Sequence, residues 1–313
     1  MLKKIKFSDK ILVTGHKGLV GSAIVRVLKK KGFKKIITIS KKKLNLLDQK
    51  KTFKYLKQLK PKFVFIAAAK VGGIFANNIY KADFIYDNLQ IQNNLIHGAY
   101  KSGVKDLIFL GSSCVYPRNC KQPIKEEYIL NGELEKTNEP YAIAKISGIK
   151  MCEAYNFQHK LNYKTIMPCN TFGPGDNYNL KTSHFLPALI KKIHQVKIGK
   201  SKKLKLWGTG KPKREFVYVE DLAEACVYFM NKKTDKSLIN IGTGKDHTIL
   251  ELAKIALEAL DVKTQITFNN KKLDGTPRKI LDISYSKKLG WKPKYKLIDS
   301  IKKTYNDYIN RIA

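Results

Sequence analysis

At 313 residues, 43% hydrophobic and 10% aromatic, the chain can bury a substantial core as one or two globular domains, which excludes a disordered polymer. Its formal net charge of +36 raises nucleic acid as a partner, yet only five residues are arginine and the lysines run through every segment. With no recognition helix, zinc-finger spacing or aromatic-basic strand motif, no nucleic-acid partner is expected, and the positive field serves at most to gather anionic nucleotides.

Apolar strands alternate with amphipathic helices along the chain, the pattern of a parallel sheet with right-handed crossovers. Lys10 to Thr14 reads as a strand and runs into Gly15-His16-Lys17-Gly18-Leu19-Val20-Gly21, after which a helix is expected over 22–31. Glycine lets such a turn bend tightly and lets a pyrophosphate approach the backbone. The helix amino terminus then offers unpaired N–H groups and a positive dipole end, so strand, glycine loop and helix in that order predict a dinucleotide site. Further strands are expected at 36–39, 63–66, 106–110 and 163–167, with helices at 49–59, 80–102, 139–159, 183–196, 219–231 and 248–260. From about 172 onward the chain is richer in proline, glycine and loops, and it is expected to cross back to the sheet near Phe216–Asp221 and Leu238–Ile241.

Two further segments carry chemistry. The strand Leu107 to Leu110 ends in Gly111-Ser112-Ser113-Cys114-Val115-Tyr116-Pro117, which puts small hydroxyls at the carboxyl end of a strand, where open α/β sheets bind ligands. Tyr141 and Lys145 are four residues apart, about 400° of helix, so both side chains share one face. An ammonium beside a phenol favours the phenolate, and a tyrosine tuned that way exchanges protons with a carbonyl or alcohol near neutral pH. A surface tyrosine beside one of many lysines is the plain alternative, and the two other segments weigh against it.

Charge selects the cofactor. An NAD site places an acid after the second strand to bond the ribose 2′-hydroxyl, where it would repel a 2′-phosphate. Here Ser40-Lys41-Lys42-Lys43 follows that strand, with no acid before Asp48, and Lys17 adds a cation in the glycine loop. NADP (NADPH) is therefore expected over NAD, with lysine acting as a point charge in place of an arginine fork.

Together these segments, with Leu44-Asn45-Leu46-Leu47-Asp48, Ala67 to Gly73, Ala82 to Tyr86, Thr137 to Lys145, Trp207 to Gly210, Arg214-Glu215-Phe216 and Asp274 to Lys279, resemble the GDP-L-fucose synthases of the extended short-chain dehydrogenase/reductase superfamily. The resemblance runs through nearly the whole chain. It implies a Rossmann-type doubly wound parallel sheet with a smaller α/β substrate-binding domain. Residues 1–171, with return segments near 216–242, would bind NADP, and 172–215 with 243–313 would bind substrate. It implies NADPH-dependent 3,5-epimerisation and 4-reduction of GDP-4-keto-6-deoxy-D-mannose. Tyr141 is then the acid for reduction, Lys145 lowers its pKa and binds the nicotinamide ribose, and Ser112 bonds the substrate carbonyl, with Ser113 its neighbour. Cys114 is the base and His184 the acid of the inversions. The implied cofactor contacts are Gly15, His16, Lys17, Gly18, Leu19, Val20, Gly21, Lys41, Leu46, Leu110, Ser112, Ser113, Tyr141, Lys145, Pro168, Asn170, Thr171 and His184. Lys192, Trp207, Arg214 and Asp274 match the nucleotide-sugar contacts, Lys192 standing where arginine can occur in the family. Guanine preference comes from the resemblance alone. A nucleotide-sugar epimerase, reductase or dehydratase with a retained NAD, or a catalytically silent cofactor-binding relative, are the competing readings.

No apolar stretch approaches the roughly 20 residues of a membrane span, and Met1-Leu2-Lys3-Lys4-Ile5-Lys6 meets charge too soon for a secretory signal. Five cysteines without a C-x-x-C pair argue for reduced thiols in a cytoplasm, with no metal site and no disulfide framework. Neither membrane nor nucleic acid is expected as a partner. A homodimer through a four-helix contact of the helices near 80–102 and 139–159 is expected from the superfamily.

Overall fold

A computed structural model describes residues 5–180, 182–269, 274 and 276–313. Met1 to Lys4 of the amino-terminal reading and Gly275 of the Asp274 to Lys279 segment lie outside the described residues. Strand β1 (Ile11–Thr14) is buried along its whole length, as a central parallel strand covered on both faces must be. Helix α1 (Leu19–Lys30) follows, its buried Ala23, Ile24, Val27 and Leu28 spaced three and four apart to line one face. Then come β2 (Ile36–Thr38), α2 (Gln49–Leu59), β3 (Phe63–Ile66), α3 (Ile74–Ile79), α4 (Lys81–Lys101) and β4 (Asp106–Leu110). They are followed by α5 (Glu139–His159), β5 (Asn162–Pro168), β6 (Asn170–Phe172), α6 (Phe185–Lys197), β7 (Leu204–Trp207), β8 (Lys213–Tyr218) and α7 (Val219–Met230). The chain closes with β9 (Leu238–Ile241), β10 (Asp246–Thr248), α8 (Ile249–Ala259), β11 (Ile266–Asn269), β12 (Arg278–Lys279), α9 (Ser284–Lys288) and α10 (Leu297–Arg311).

A six-stranded parallel sheet has the order β2-β1-β3-β4-β5-β9. Because the chain moves outward from β1 to β2 and then back past it to β3, right-handed crossovers put α1 on one face and α2 on the other. Accordingly α1 packs with α7, while α2, α4 and α5 pack side by side. This is the doubly wound fold. Its switch point lies between β1 and β3, where ligands of such sheets bind.

A smaller sheet, β10-β8-β12 with β6 also paired to β8, and the parallel pair β11-β7 lie beside it. Of the two expected crossings to the large sheet, Leu238–Ile241 adds its last strand. Phe216 instead belongs to the smaller sheet, and the chain returns there as α7, whose Leu222, Ala223, Ala225, Cys226 and Phe229 join the first core. A second core gathers Phe172, Leu186, Leu189, Ile190, Leu206, Phe216, Leu252 and Ile301, whereas Leu281, Ile283 and Trp291 pack on the first. No described helix is long and apolar enough to cross a membrane.

Candidate active site

The glycine loop connects β1 to α1 at the switch point. Gly15 has φ +73°, and a Cβ there would stand 2.6 Å from the backbone of Ala67 and Ala68 beyond β3. A Cβ on Gly21 would overlap the Gly15 carbonyl, so the helix is seated on the turn backbone to backbone. Gly18 caps the helix without a side chain, and a Cβ there would meet only the Gly15 oxygen, at 3.4 Å. The loop is thus closed beneath and open above. His16 Nδ1 is buried there without a partner, a polar atom that a ligand in the cradle could satisfy. These features fit a dinucleotide pyrophosphate. Lys17 and Lys41 are exposed, and Leu46 packs on the core while its carbonyl accepts from Asn94. Asp48, the first acid after β2, is engaged elsewhere: it caps α2 by accepting from the Lys51 amide at 3.0 Å and pairs with the Lys51 ammonium at 2.9 Å.

At the end of β4 the chain turns through a short 3-10 helix, Ser113–Val115, whose cap Ser112 accepts from the Cys114 amide at 3.5 Å. Pro140 sits in the first turn of α5, and the helix then carries Tyr141 and Lys145 to this turn. Lys145 is buried; its ammonium donates to the Leu110 carbonyl at 2.8 Å and lies 4.6 Å from the Phe109 ring centroid and 5.8 Å from that of Tyr141. Burial holds its pKa down to about 8 against the pull of Cys114. The expected lowering of Tyr141 is reversed in the folded chain. Burial pushes the phenol far up, Cys114 adds to the rise, and the Ser112 hydroxyl works against it. Cys114 is buried and its thiol raised for the same reason, while Lys279, the Ser112 hydroxyl and Lys145 pull it down. Ser112, Cys114, Tyr141 and Lys145 therefore form one electrostatic cluster.

Pro168 ends β5, and Asn170 and Thr171 open β6, where Asn170 Nδ2 donates to the Glu215 carbonyl at 2.8 Å and Thr171 Oγ1 to that of Cys169 at 3.2 Å. His184 is the cap residue of α6. The residue is exposed, and partial desolvation lowers its imidazole pKa. No hydrogen bond joins His184 to Cys114 or Tyr141 among the described residues. In the outer layer, the Lys192 ammonium donates to the Lys205 carbonyl at 2.9 Å and stands 5.8 Å from the Trp207 ring centroid, with burial lowering its pKa. Trp207 is 66% exposed, a large aromatic face turned outward beside a cation. Asp274 accepts from the Thr209 amide and hydroxyl at 2.9 and 2.6 Å, which holds its carboxyl low, and its charge opposes the lowering of Arg214 by burial.

A profile of the NAD dependent epimerase/dehydratase family matches residues 11–242. The chain belongs to this family. Among epimerase/dehydratase relatives, GDP-L-fucose synthase 1 of Arabidopsis thaliana is 48% identical over 98% of this chain and 95% of its own. GDP-L-fucose synthase of Escherichia coli K12 is 43% identical over 96% of this chain and 97% of its own. The crystal structure of a GDP-L-fucose synthetase from Naegleria fowleri bound to NADP superposes with a TM-score of 0.91 at 28% identity, covering 98% of this chain and 95% of that one.

Two participants escaped the sequence reading. Lys279 pairs in register with Arg214 through β12 and β8, and its charge acts on Cys114. It entered the sequence analysis only as the last residue of the Asp274 to Lys279 segment, with no role attached. Glu215, fully buried behind Arg214, accepts from the amides of Thr243, Gly244 and Leu281 at 2.6, 2.7 and 2.9 Å. It was named only inside the Arg214-Glu215-Phe216 segment, and an acid in a strand of so basic a chain was the further signal that could have found it.

Proposed function

We propose that this epimerase/dehydratase family member converts GDP-4-keto-6-deoxy-D-mannose to GDP-L-fucose with NADPH, by 3,5-epimerisation and 4-reduction. The observation that carries this reading is the thiol inside the reductase cluster: Cys114 interacts with Ser112, Lys145 and Tyr141, and a simple ketone reductase has no use for it. Near full-length identity of 48% and 43% to GDP-L-fucose synthases supports the same substrate.

NADPH, when bound, supplies the hydride that reaches C4. The cradle Gly15 to Gly21 and the amino terminus of α1 receive its pyrophosphate, and exposed Lys17 and Lys41 offer charge to the 2′-phosphate. Leu110, Ser113, Pro168, Asn170 and Thr171 line the rest of its path. Lys145 binds the nicotinamide ribose. Tyr141, held protonated by burial, gives its Oη proton to the oxygen at C4 as the alkoxide develops, and Ser112 donates to the same oxygen. In the earlier stage the C4 ketone acidifies C3 and C5; Cys114 Sγ removes each proton and His184 returns one on the opposite face. The thiolate needed for this is favoured by Lys279 and Lys145 against burial. Lys192 and Arg214 attract the diphosphate, Trp207 offers a face to the base, and Asp274 holds sugar hydroxyls. The first core with its six-stranded sheet is assigned to the cofactor, and the elements around the second core to the nucleotide sugar.

We also propose a homodimer through α4 and α5. These helices pack together and leave Tyr86, Ile143 and Phe157 exposed, the last two about four turns apart on one face of α5. All five cysteines are free, which supports a cytoplasmic location. The deciding experiment incubates the protein with GDP-4-keto-6-deoxymannose and NADPH, follows NADPH loss and identifies the product by NMR. Absence of substrate-dependent oxidation overturns the reading.

A further inference from the structure

We propose that the segment Lys70–Asn77, which no catalytic step uses, is a positioning device that fixes His184 relative to the wall carrying Tyr141; this rests on the reading of His184 as the acid of the inversions. The segment leaves β3 at the switch point and is fastened at its start to α4. The Lys70 amide donates to Asn88 Oδ1 at 2.9 Å, Asn88 Nδ2 returns a bond to the Lys70 carbonyl at 3.0 Å, and the Lys70 ammonium pairs with Asp83 and Asp87 at 2.8 and 3.0 Å. The same helix presents Phe84 edge-on to the Tyr141 ring, centroids 6.2 Å apart. A Cβ on Gly72 would stand 3.2 Å from the Phe84 ring and 2.9 Å from Ala76 Cβ, so the backbone there lies directly against the residue that packs on Tyr141.

One residue further on, the segment meets the loop that ends in His184. The Gly73 amide donates to the Thr182 carbonyl at 3.0 Å, and a Cβ on Gly73 would come within 3.1 Å of the carbonyl oxygens of both Thr182 and Ser183. The backbone of Gly73, φ −66° and ψ 177°, suits any residue, so close approach alone asks for glycine. Asn77 locks the arrangement from behind: it is buried, its Nδ2 donates to the Gly72 and Gly73 carbonyls at 2.6 and 3.1 Å, and its own amide bonds Gly73 at 3.1 Å. On the far side the Thr182 and Ser183 amides both bond the Asn179 carbonyl, at 3.0 and 2.7 Å. An unbroken line of contacts therefore runs from the Tyr141 ring through Phe84, Gly72 and Gly73 to the two residues preceding His184. Inversion needs an acid placed on one face of the sugar while the base works on the other, whereas proton donation by Tyr141 at C4 does not involve His184. Disturbing the joint must therefore fall on inversion.

The test uses Gly73→Ala in the full-length protein, with NADP+ in place of NADPH so that reduction cannot drain the substrate. Solvent deuterium entry at C3 and C5 is expected to fall by at least about tenfold, as for a group misplaced by a fraction of an ångström, with KM for the sugar and affinity for NADPH within about twofold of the parent. Asn77→Ala, which removes both side-chain bonds without adding bulk, is expected to give the same split and serves if the first variant does not fold. Exchange at the parental rate in folded variants, or loss of exchange in step with cofactor affinity, overturns the proposal. A parent protein that incorporates no deuterium at all refutes the functional reading instead.

Discussion

Replacing Glu215 by glutamine should loosen the fold and the substrate wall together. The carboxylate is fully buried; one oxygen accepts from Thr243 and Gly244 and the other from Leu281, so it ties the β9–β10 turn and the stretch following β12 to β8. A glutamine can aim its carbonyl at one side only. With Oε1 toward Thr243 and Gly244, its NH2 faces the Leu281 N–H, donor against donor. Two bonds to an ionised acceptor become neutral ones, losing about 1 kcal/mol each, and the orphaned amide costs about 1–3 kcal/mol. Relief from burying a charge returns part of this, leaving a net loss of about 2–4 kcal/mol. For a chain of this length that lowers the melting temperature by about 3–6 °C. Thermal unfolding followed by circular dichroism at about pH 8, well above the ordinary carboxylate range from which burial raises this group, measures it. KM for the nucleotide sugar should rise as well, because Arg214 precedes Glu215 on β8 and Lys279 pairs beside it. An unchanged melting temperature would refute the view that this carboxylate holds the three segments together.

The two half-reactions should separate by mutation. Cys114→Ser is expected to suppress solvent-deuterium entry at C3 and C5 while NADPH still binds, and unchanged exchange would remove Cys114 as base. Tyr141→Phe should slow NADPH oxidation by about 10²–10⁴-fold yet leave deuterium entry in place; equal loss of both would contradict separate acids. Lys41→Glu should weaken NADPH about tenfold and leave NADH nearly untouched, as read by fluorescence titration, and parallel changes would show that Lys41 does not meet the 2′-phosphate. Lys145 is protonated below its depressed pKa of about 8 and neutral above it. KM for NADPH should accordingly rise as pH climbs through that value, and a flat profile there would mean that the ammonium does not hold the cofactor.

Much of the layout was legible because it is local. The expected helices at 49–59 and 139–159 coincide with α2 and α5, each closed by a lysine in the left-handed region. The α10 helix was missed although Leu297, Ile298, Ile301, Tyr305 and Tyr308 recur at helical spacing; its amino terminus has no side-chain cap to announce it. Phe216 was taken for a return to the main sheet because an apolar strand does not name its partner. What stayed hidden was non-local. The Lys279–Arg214 register joins residues 65 positions apart, and only the fold brings Gly73 beneath the His184 loop. The reversed pKa of Tyr141 has the same origin: neighbouring residues supplied the ammonium, but distant ones supplied the burial.

The cradle floor also constrains how this protein could change over time. At Gly15 and Gly21 any added atom meets main chain, which cannot rotate away as a side chain can. Those positions offer selection almost no viable neighbours. The lysines beyond β2 stand in solvent and can be exchanged one at a time at little structural cost. A drift from a phosphorylated to an unphosphorylated cofactor would therefore begin at that edge, with the grip on the pyrophosphate inherited intact.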